Sequence, residues 1–384
     1  MEYDFDTRAI HAGQEPDPTT GAIMTPVYLT STYVQRAPAD HKGYVYARGD
    51  NLTRRALEAC LASLEEAAFC TAAASGLAAE SVVLTDLGAG ARVVAGNDLY
   101  GGTYRLMEKV FRRLNLEFEF VDTSDPEAVS GALETKADLL WLETPTNPLL
   151  TITDVEQTCD LAHARGVPVL VDNTFASPYL QRPLTLGADI VVHSMTKYLG
   201  GHSDVIGGAV LTNDTERADR YAKLANWTGP CLAPLDSFLV LRGLKTLHVR
   251  MERHCDNAEH LVAWLAAHPR VGKVYYPGLA EHPGHAVAGR QMRRFGGMVS
   301  LELDGSVEDG KRFCAATKVF SLAESLGGVE SLIEHPPSMT HASIPAEERR
   351  KAGLADGLLR LSVGIESKED LRADLEQAFA ATFA

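Results

Sequence analysis

Residues 167–197 read VPVLVDNTFASPYLQRPLTLGADIVVHSMTK. The runs VPVLVD and ADIVVHS are apolar at successive positions, not at alternate ones, as strands covered by helices on both faces must be. Runs of this kind recur between residues 69 and 211. Strands are expected at Ala91–Ala95, Leu116–Val121, Leu139–Leu142, Pro168–Val171, Asp189–His193 and Ala209–Leu211. Helical patterns between them include Ser75–Leu84, Tyr104–Leu114 and Val155–Arg165. Strands alternating with helices predict an α/β domain with a mostly parallel sheet.

Outward from this block the pattern changes on both sides. Glu15 to Thr53 is rich in Pro, Thr, Tyr and Gly, with little helical periodicity, and reads as an extended arm that packs on something else. A helix is expected over Thr53–Ala67, with Leu57, Leu61 and Leu64 on one face and Thr53 placed to cap the first turn. After Trp227 the Gly/Pro-broken TGPCLAPLD leads into one long helical pattern, Leu235–His268. Strand-like Val274–Tyr276 and Gly297–Leu303, helical Val307–Ala316, strand-like Leu358–Val363 and helical Lys368–Phe383 then read as a smaller α+β unit. The expected division is an N-terminal arm at 1–58, a large α/β domain at 59–250 and a C-terminal α+β domain at 251–384.

Composition sets the outer bounds. At roughly 150 residues per domain, 384 residues allow two or three domains. The 45% hydrophobic and 23% charged residues are those of ordinary globular domains, and 32 Gly with 18 Pro are too few for a low-complexity chain. A formal net charge of −15 repels phosphate backbones and anionic membrane surfaces, so neither nucleic acid nor membrane is expected as a partner. Cys60, Cys70, Cys159, Cys231, Cys255 and Cys314 show no C-x-x-C pair or zinc spacing and read as reduced thiols of the cytoplasm. The first ten residues carry Glu2, Asp4 and Asp6, where a leader would need basic and then apolar residues.

In open α/β sheets, ligands bind beyond the carboxyl ends of parallel strands. Three successive expected strands end in polar groups there: Glu143 to Asn147, Asp172-Asn173-Thr174, and Ser194 to Lys197. Any one of these is an ordinary strand-end turn; an amide, a carboxylate and an amine flanked by two hydroxyls together point to chemistry. Ala74-Ser75-Gly76-Leu77 opens a helix whose N–H groups suit a phosphate, and Tyr46 and Arg48 offer a hydroxyl and a guanidinium for the same anion. With Tyr100 as an aromatic platform, the inventory matches what pyridoxal phosphate (PLP) requires: a lysine, an acid for the ring nitrogen, a stacking ring and phosphate donors.

Asp172–Gly208, with His11-Ala12-Gly13, the ETPTNP of 143–148, the RGLKT of 242–246 and the LSVGIE of 361–366, resembles the Cys/Met-metabolism family of PLP enzymes over nearly the whole chain. That family includes cystathionine γ-synthase, cystathionine γ-lyase, cystathionine β-lyase and methionine γ-lyase. The resemblance implies a fold type I, aminotransferase-like large domain and a homotetramer of dimers that share their sites. It assigns Lys197 as the Schiff-base lysine, with Asp172 on the pyridine nitrogen and Tyr100 stacked on the ring. Gly76, Leu77, Ser194 and Thr196 would hold the phosphate, joined by Tyr46 and Arg48 from the neighbouring subunit. Asn147, Glu324, Ser325 and Arg360 would grip the substrate, Arg360 forming a fork to its α-carboxylate. Glu324 and the stretch 333–344 are similar to the γ-lyase and γ-synthase pattern, which implies elimination or replacement at Cγ in transsulfuration. Cystathionine γ-lyase is the first expectation and cystathionine γ-synthase the second.

Three positions depart from the pattern. Val45 stands where the cystathionine enzymes place an acidic residue able to read a distal ammonium; an apolar residue there is similar to methionine γ-lyase or O-acylhomoserine sulfhydrylase. Leu52 replaces a proline and Leu77 a methionine, both with packing preserved. Trp227 and Cys231 are expected to fill a domain seam. A dinucleotide-binding reading of Gly88–Val93 fails, because the third glycine is missing and the motif precedes a strand. His282, His285, His335 and His341 read as loop histidines and not as metal ligands. A non-catalytic binding protein, the rival from another class, would be colourless.

Overall fold

The computed structural model of the chain describes residues 3–340, 347 and 353–383. The apolar runs of the first half form β1 (Phe69–Ala73), β2 (Arg92–Gly96), β3 (Glu117–Val121), β4 (Leu139–Glu143), β5 (Val169–Asp172), β6 (Ile190–Ser194) and β7 (Gly208–Thr212). They join in one sheet of order β1-β7-β6-β5-β4-β2-β3. From β3 to β6 neighbouring strands run parallel, while β7 is antiparallel to both β6 and β1. β1 was not among the expected strands, since only Ala72 and Ala73 of FCTAA are buried and no apolar run marks it. The fold is α/β with a mostly parallel sheet, of fold type I.

Helices α1 (Phe5–His11), α2 (Leu52–Glu65), α3 (Gly76–Leu87) and α4 (Gly101–Arg105) set the surroundings of the strand ends. Val191 packs with Phe5, Leu57 and Leu61 on one face of the sheet, and its neighbour Val192 packs with Val82 and Val83 on the other. Alternate residues of a strand point to opposite faces, so the continuous apolar run serves two cores. Each such buried valine or leucine contributes roughly 1.5–3 kcal/mol.

Asn51, not Thr53, caps α2. Its side-chain oxygen accepts the N–H of Thr53 at 2.9 Å and of Arg54 at 3.3 Å. The Thr53 hydroxyl instead donates to Pro26 O at 2.8 Å and accepts from Tyr28 N–H at 3.0 Å, tying the arm to the helix. The helix expected over Tyr104–Leu114 is α4 followed by a wider π turn (Leu106–Val110) and a 3-10 turn (Phe111–Leu114), which buried Met107 and Phe111 hold against the sheet. The long pattern Leu235–His268 is two helices, Pro234–Leu244 and Leu247–Leu265. At Gly243 a Cβ would meet Gly200 O at 2.3 Å, so the first of them lies directly on the loop that follows Lys197.

The last part of the chain forms a second sheet. Its strands are β8 (Val271–Tyr275), β9 (Met298–Leu303), β10 (Ser321–Leu322), β11 (Leu332–Glu334) and β12 (Leu358–Ser362), in the order β10-β11-β12-β9-β8. β10 and β11 are too short to announce themselves in the sequence. Leu261, Val299, Phe313, Leu361 and Phe379 fill the core between this sheet and its helices. Among the described residues no helix is long and apolar enough to cross a membrane.

Candidate active site

Parallel register aligns the ends of β4, β5 and β6, with Glu143 opposite Asp172 and Asp172 opposite Val192. The polar residues that follow three separate apolar runs therefore emerge side by side. Lys197 sits one turn past β6, and its Nζ donates to Ser325 Oγ at 2.7 Å. Burial, then the nearby Arg360 guanidinium, bring the Lys197 amine down from 10.5 to about 8, which favours the unprotonated nucleophile. Asp172 Oδ1 accepts Thr174 N–H at 2.9 Å. Burial raises its carboxyl above the usual range, against the bonds from Thr174 and the nearby His193.

Tyr100 precedes α4, and its N–H donates to Glu143 Oε2 at 2.7 Å. Its ring folds over Gly102, where a Cβ would lie 2.3 Å from Tyr100 Cε1. At the head of α3, Ser75 Oγ accepts Ala78 N–H at 3.1 Å, and the preceding amides of Gly76 and Leu77 belong to the first turn, whose N–H groups lack intrahelical acceptors. A Cβ on Gly76 would meet that of Ser194 at 3.1 Å, and one on Gly208 would meet Ser75 O at 2.0 Å. Strand end and helix start are thus in contact. Thr196 Oγ1 accepts Gly207 N–H at 3.2 Å.

The second sheet supplies the opposite wall. Arg360 of β12, 3% exposed, faces Glu334 of β11. Its Nη1 donates to Asn147 Oδ1 at 2.8 Å, and its Nη2 donates to Ser325 O at 2.8 Å and lies 3.0 Å from Glu334 Oε2. Arg360 Nε is buried without a partner among the described residues. Ser325 holds a left-handed backbone, φ 95°, strained for a non-glycine residue; this turns its carbonyl to Arg360 and its hydroxyl to Lys197. Exposed Glu324 lines a cavity of about 410 Å³ with Thr196, Asp204, Ile206, Ser325 and Glu330. The larger cavity, about 600 Å³, is lined by Asp154, Lys273, Tyr275 and His282 and shares none of these residues.

Two predicted residues stand apart. Tyr46 and Arg48 are exposed; Arg48 lies 5.2 Å over the Tyr46 ring and its Nε donates to Asn226 Oδ1 at 3.2 Å. Trp227 does not fill a seam: it is 73% exposed in the last turn of the helix Thr215–Thr228. Cys231 makes a bridge with Ala73 at the end of β1. His341, with residues 342–344 of the stretch at 333–344, lies outside the described residues.

Sequence reasoning assigned no role to Glu143 or Glu334. A lone acid in the apolar runs LLWLE and LIE was the available signal, because a charge in a fully buried strand requires a partner. The donor set fits PLP on this geometry: a buried amine with a depressed pKa, a carboxylate at a strand end, an aromatic ring beside it and a glycine-lined helix start.

The family model described as Cys/Met metabolism PLP-dependent enzyme matches residues 6–380. The chain belongs to this family. As a member of the Cys/Met metabolism family it is a PLP-dependent enzyme, consistent with a carbon–sulfur lyase. It is 54% identical to a cystathionine beta-lyase of Coxiella burnetii over 376 residues, 97% of each chain. It is 53% identical to a cystathionine gamma-synthase of Mycobacterium bovis over 374 residues, 97% of this chain and 96% of the relative. The crystal structure of a cystathionine gamma-lyase from Lactobacillus plantarum, complexed with L-serine, superposes with a TM-score of 0.96 at 46% identity, covering 99% of both chains. Relatives of this Cys/Met metabolism enzyme thus carry three reaction names.

Proposed function

We propose that the enzyme cleaves cystathionine at its γ carbon, taking up water and releasing cysteine, 2-oxobutyrate and ammonia. The observation that carries this reading is the Lys197–Ser325–Arg360 cluster, whose Ser325 lines the same cavity as Glu324. When bound, PLP supplies the electron sink that makes protons on the substrate's α and β carbons removable. Lys197 would accept and return those protons; Asp172 would hold the proton on the ring nitrogen, and Tyr100 would stack on the ring. Gly76, Leu77, Ser194 and Thr196 would bind the phosphate. Arg360 would offer its unpartnered Nε to the α-carboxylate, joined by Nη2 once that carboxylate displaces Glu334, with Asn147 and Ser325 fixing the guanidinium plane, and Glu324 would take the distal ammonium.

The arm, residues 1–58, is proposed to cross to a neighbouring subunit, where Tyr46 and Arg48 complete the phosphate site beside the large domain at 59–250. Exposed Ile23, Leu29 and Val34 on this arm support that assembly, a cytoplasmic homotetramer of dimers. The C-terminal domain at 251–384 closes the site from the side of Arg360. Val45 and the γ-synthase relative favour a second reading, γ-replacement, in which cysteine displaces the acid of an O-acylhomoserine to give cystathionine.

The deciding experiment offers the PLP-loaded protein cystathionine, then O-succinyl- or O-acetylhomoserine with and without cysteine, then homocysteine and methionine, and identifies every product. 2-Oxobutyrate with cysteine supports the γ-lyase. Net formation of cystathionine supports the second reading, and pyruvate with homocysteine overturns both. Lys197→Ala abolishes turnover in either case; a variant that binds PLP and still turns over refutes the role given to Lys197.

A further inference from the structure

Behind Tyr100 lies a buried carboxyl that none of the steps above employs. Glu80 stands one turn along α3 from Gly76, on the same side of the helix. It is 3% exposed, and its Oε1 accepts the hydroxyl of Thr103, 1% exposed, at 3.0 Å. Its Oε2 is buried with no partner among the described residues. Burial, then the negative charge of Asp172, push the Glu80 carboxyl well above the usual range, and Thr103 alone opposes them; no cation contributes. Glu143 is raised by the same two causes. A second and third negative charge beside Asp172 would be uncompensated in so little water.

The helix that Glu80 touches is short and poor in helix formers. α4 has five residues and opens on Gly101-Gly102, and glycine is among the poorest helix formers. Besides the packing of the Tyr104 ring on Phe120, two side-chain hydrogen bonds fasten it to the rest of the fold: Glu143 receives the N–H of Tyr100, and Glu80 receives the hydroxyl of Thr103. Because the Tyr100 ring lies on Gly102 where a Cβ would be, displacement of this turn displaces the ring.

We propose that Glu80 is a positioning residue for Tyr100, an uncharged acid that fastens α4 through Thr103 and leaves the negative charge of this wall to Asp172. The inference rests on the reading that Tyr100 stacks on the cofactor ring. Three variants test it in the full-length protein: Thr103→Val, Glu80→Leu and Glu80→Gln. The readouts are the dissociation constant of PLP, the visible circular dichroism of bound PLP, and infrared difference spectra of the cofactor-free protein.

Thr103→Val removes only a hydroxyl and should raise the PLP dissociation constant about 5-fold, the loss of one buried hydrogen bond, while weakening the visible dichroism. Glu80→Leu should do the same, and the double variant should be no worse than either alone. Glu80→Gln keeps the acceptor without a charge and should restore both readouts. Wild type minus Glu80→Gln at neutral pH should show the carbonyl band of a protonated carboxyl. Carboxylate bands in its place, or a Thr103→Val variant indistinguishable from wild type, overturn the proposal. Should Glu80→Leu fail to fold, Thr103→Val with the infrared result decides. If wild type binds no PLP, the site reading itself fails, and the infrared spectrum still reports where the Glu80 proton resides.

Discussion

Replacing Lys197 with methionine should make the cofactor-free protein more stable. Burial beside Arg360 lowers the Lys197 pKa from 10.5 to about 8, and each tenfold change in a protonation equilibrium is worth about 1.4 kcal/mol. At pH 7 the folded chain therefore carries an ammonium that is disfavoured by about 3 kcal/mol relative to the unfolded chain. Methionine has a similar length and no charge. Its introduction leaves the Ser325 hydroxyl without the 2.7 Å donor, a loss of about 1 kcal/mol. The expected net gain is about 2 kcal/mol at pH 7, or roughly 0.7 M in urea midpoint for a slope of about 3 kcal/mol/M.

The sign follows from proton counting. Between pH 8 and 10.5 the unfolded chain holds the Lys197 proton that the folded chain has released, so the wild type gains stability as pH rises through that window. The advantage of Lys197→Met should be full below pH 8 and nearly absent by about pH 10. Urea unfolding of both proteins, followed by far-ultraviolet circular dichroism at pH 7 and pH 10, measures it. A variant no more stable than wild type at pH 7, or a difference that does not change with pH, would show that the amine is not desolvated as the geometry requires.

Arg360→Lys replaces a planar fork with a point charge and should raise KM for α-amino acid substrates about 10- to 100-fold, read by steady-state kinetics. Gly208→Ala places a Cβ 2.0 Å from Ser75 O. It should cost at least about 1–3 kcal/mol and weaken PLP binding; unaltered affinity by fluorescence titration would contradict the contact between β7 and the head of α3. Val45→Glu should lower KM for cystathionine relative to O-succinylhomoserine if a distal ammonium is read from the arm, and an unchanged ratio argues for γ-replacement.

Much of this site was legible in single runs of sequence because β-structure makes it so. VPVLVD and ADIVVHS had to be buried parallel strands, and parallel strands deliver Asp172 and Lys197 to the same edge whatever lies between. What escaped depended on partners far away in the chain. Glu334 acquires meaning only opposite Arg360, and Glu80 only once α4 is laid against α3. Thr53 and Asn51 are both competent to cap α2; the arm decides, by engaging the Thr53 hydroxyl with Pro26 and Tyr28. The edge strands β1 and β10 bury too few residues to show a period, and β11, though buried, is only three residues long.

The bond between Lys197 and Ser325 joins the loop beyond the first sheet to a strained residue in the loop between β10 and β11 of the second. The reactive amine therefore works as a strain gauge for the seam between the two halves. Gentle heating that slides one half against the other should extinguish turnover while circular dichroism still reports an intact backbone, so the temperature of inactivation measures cohesion, not melting.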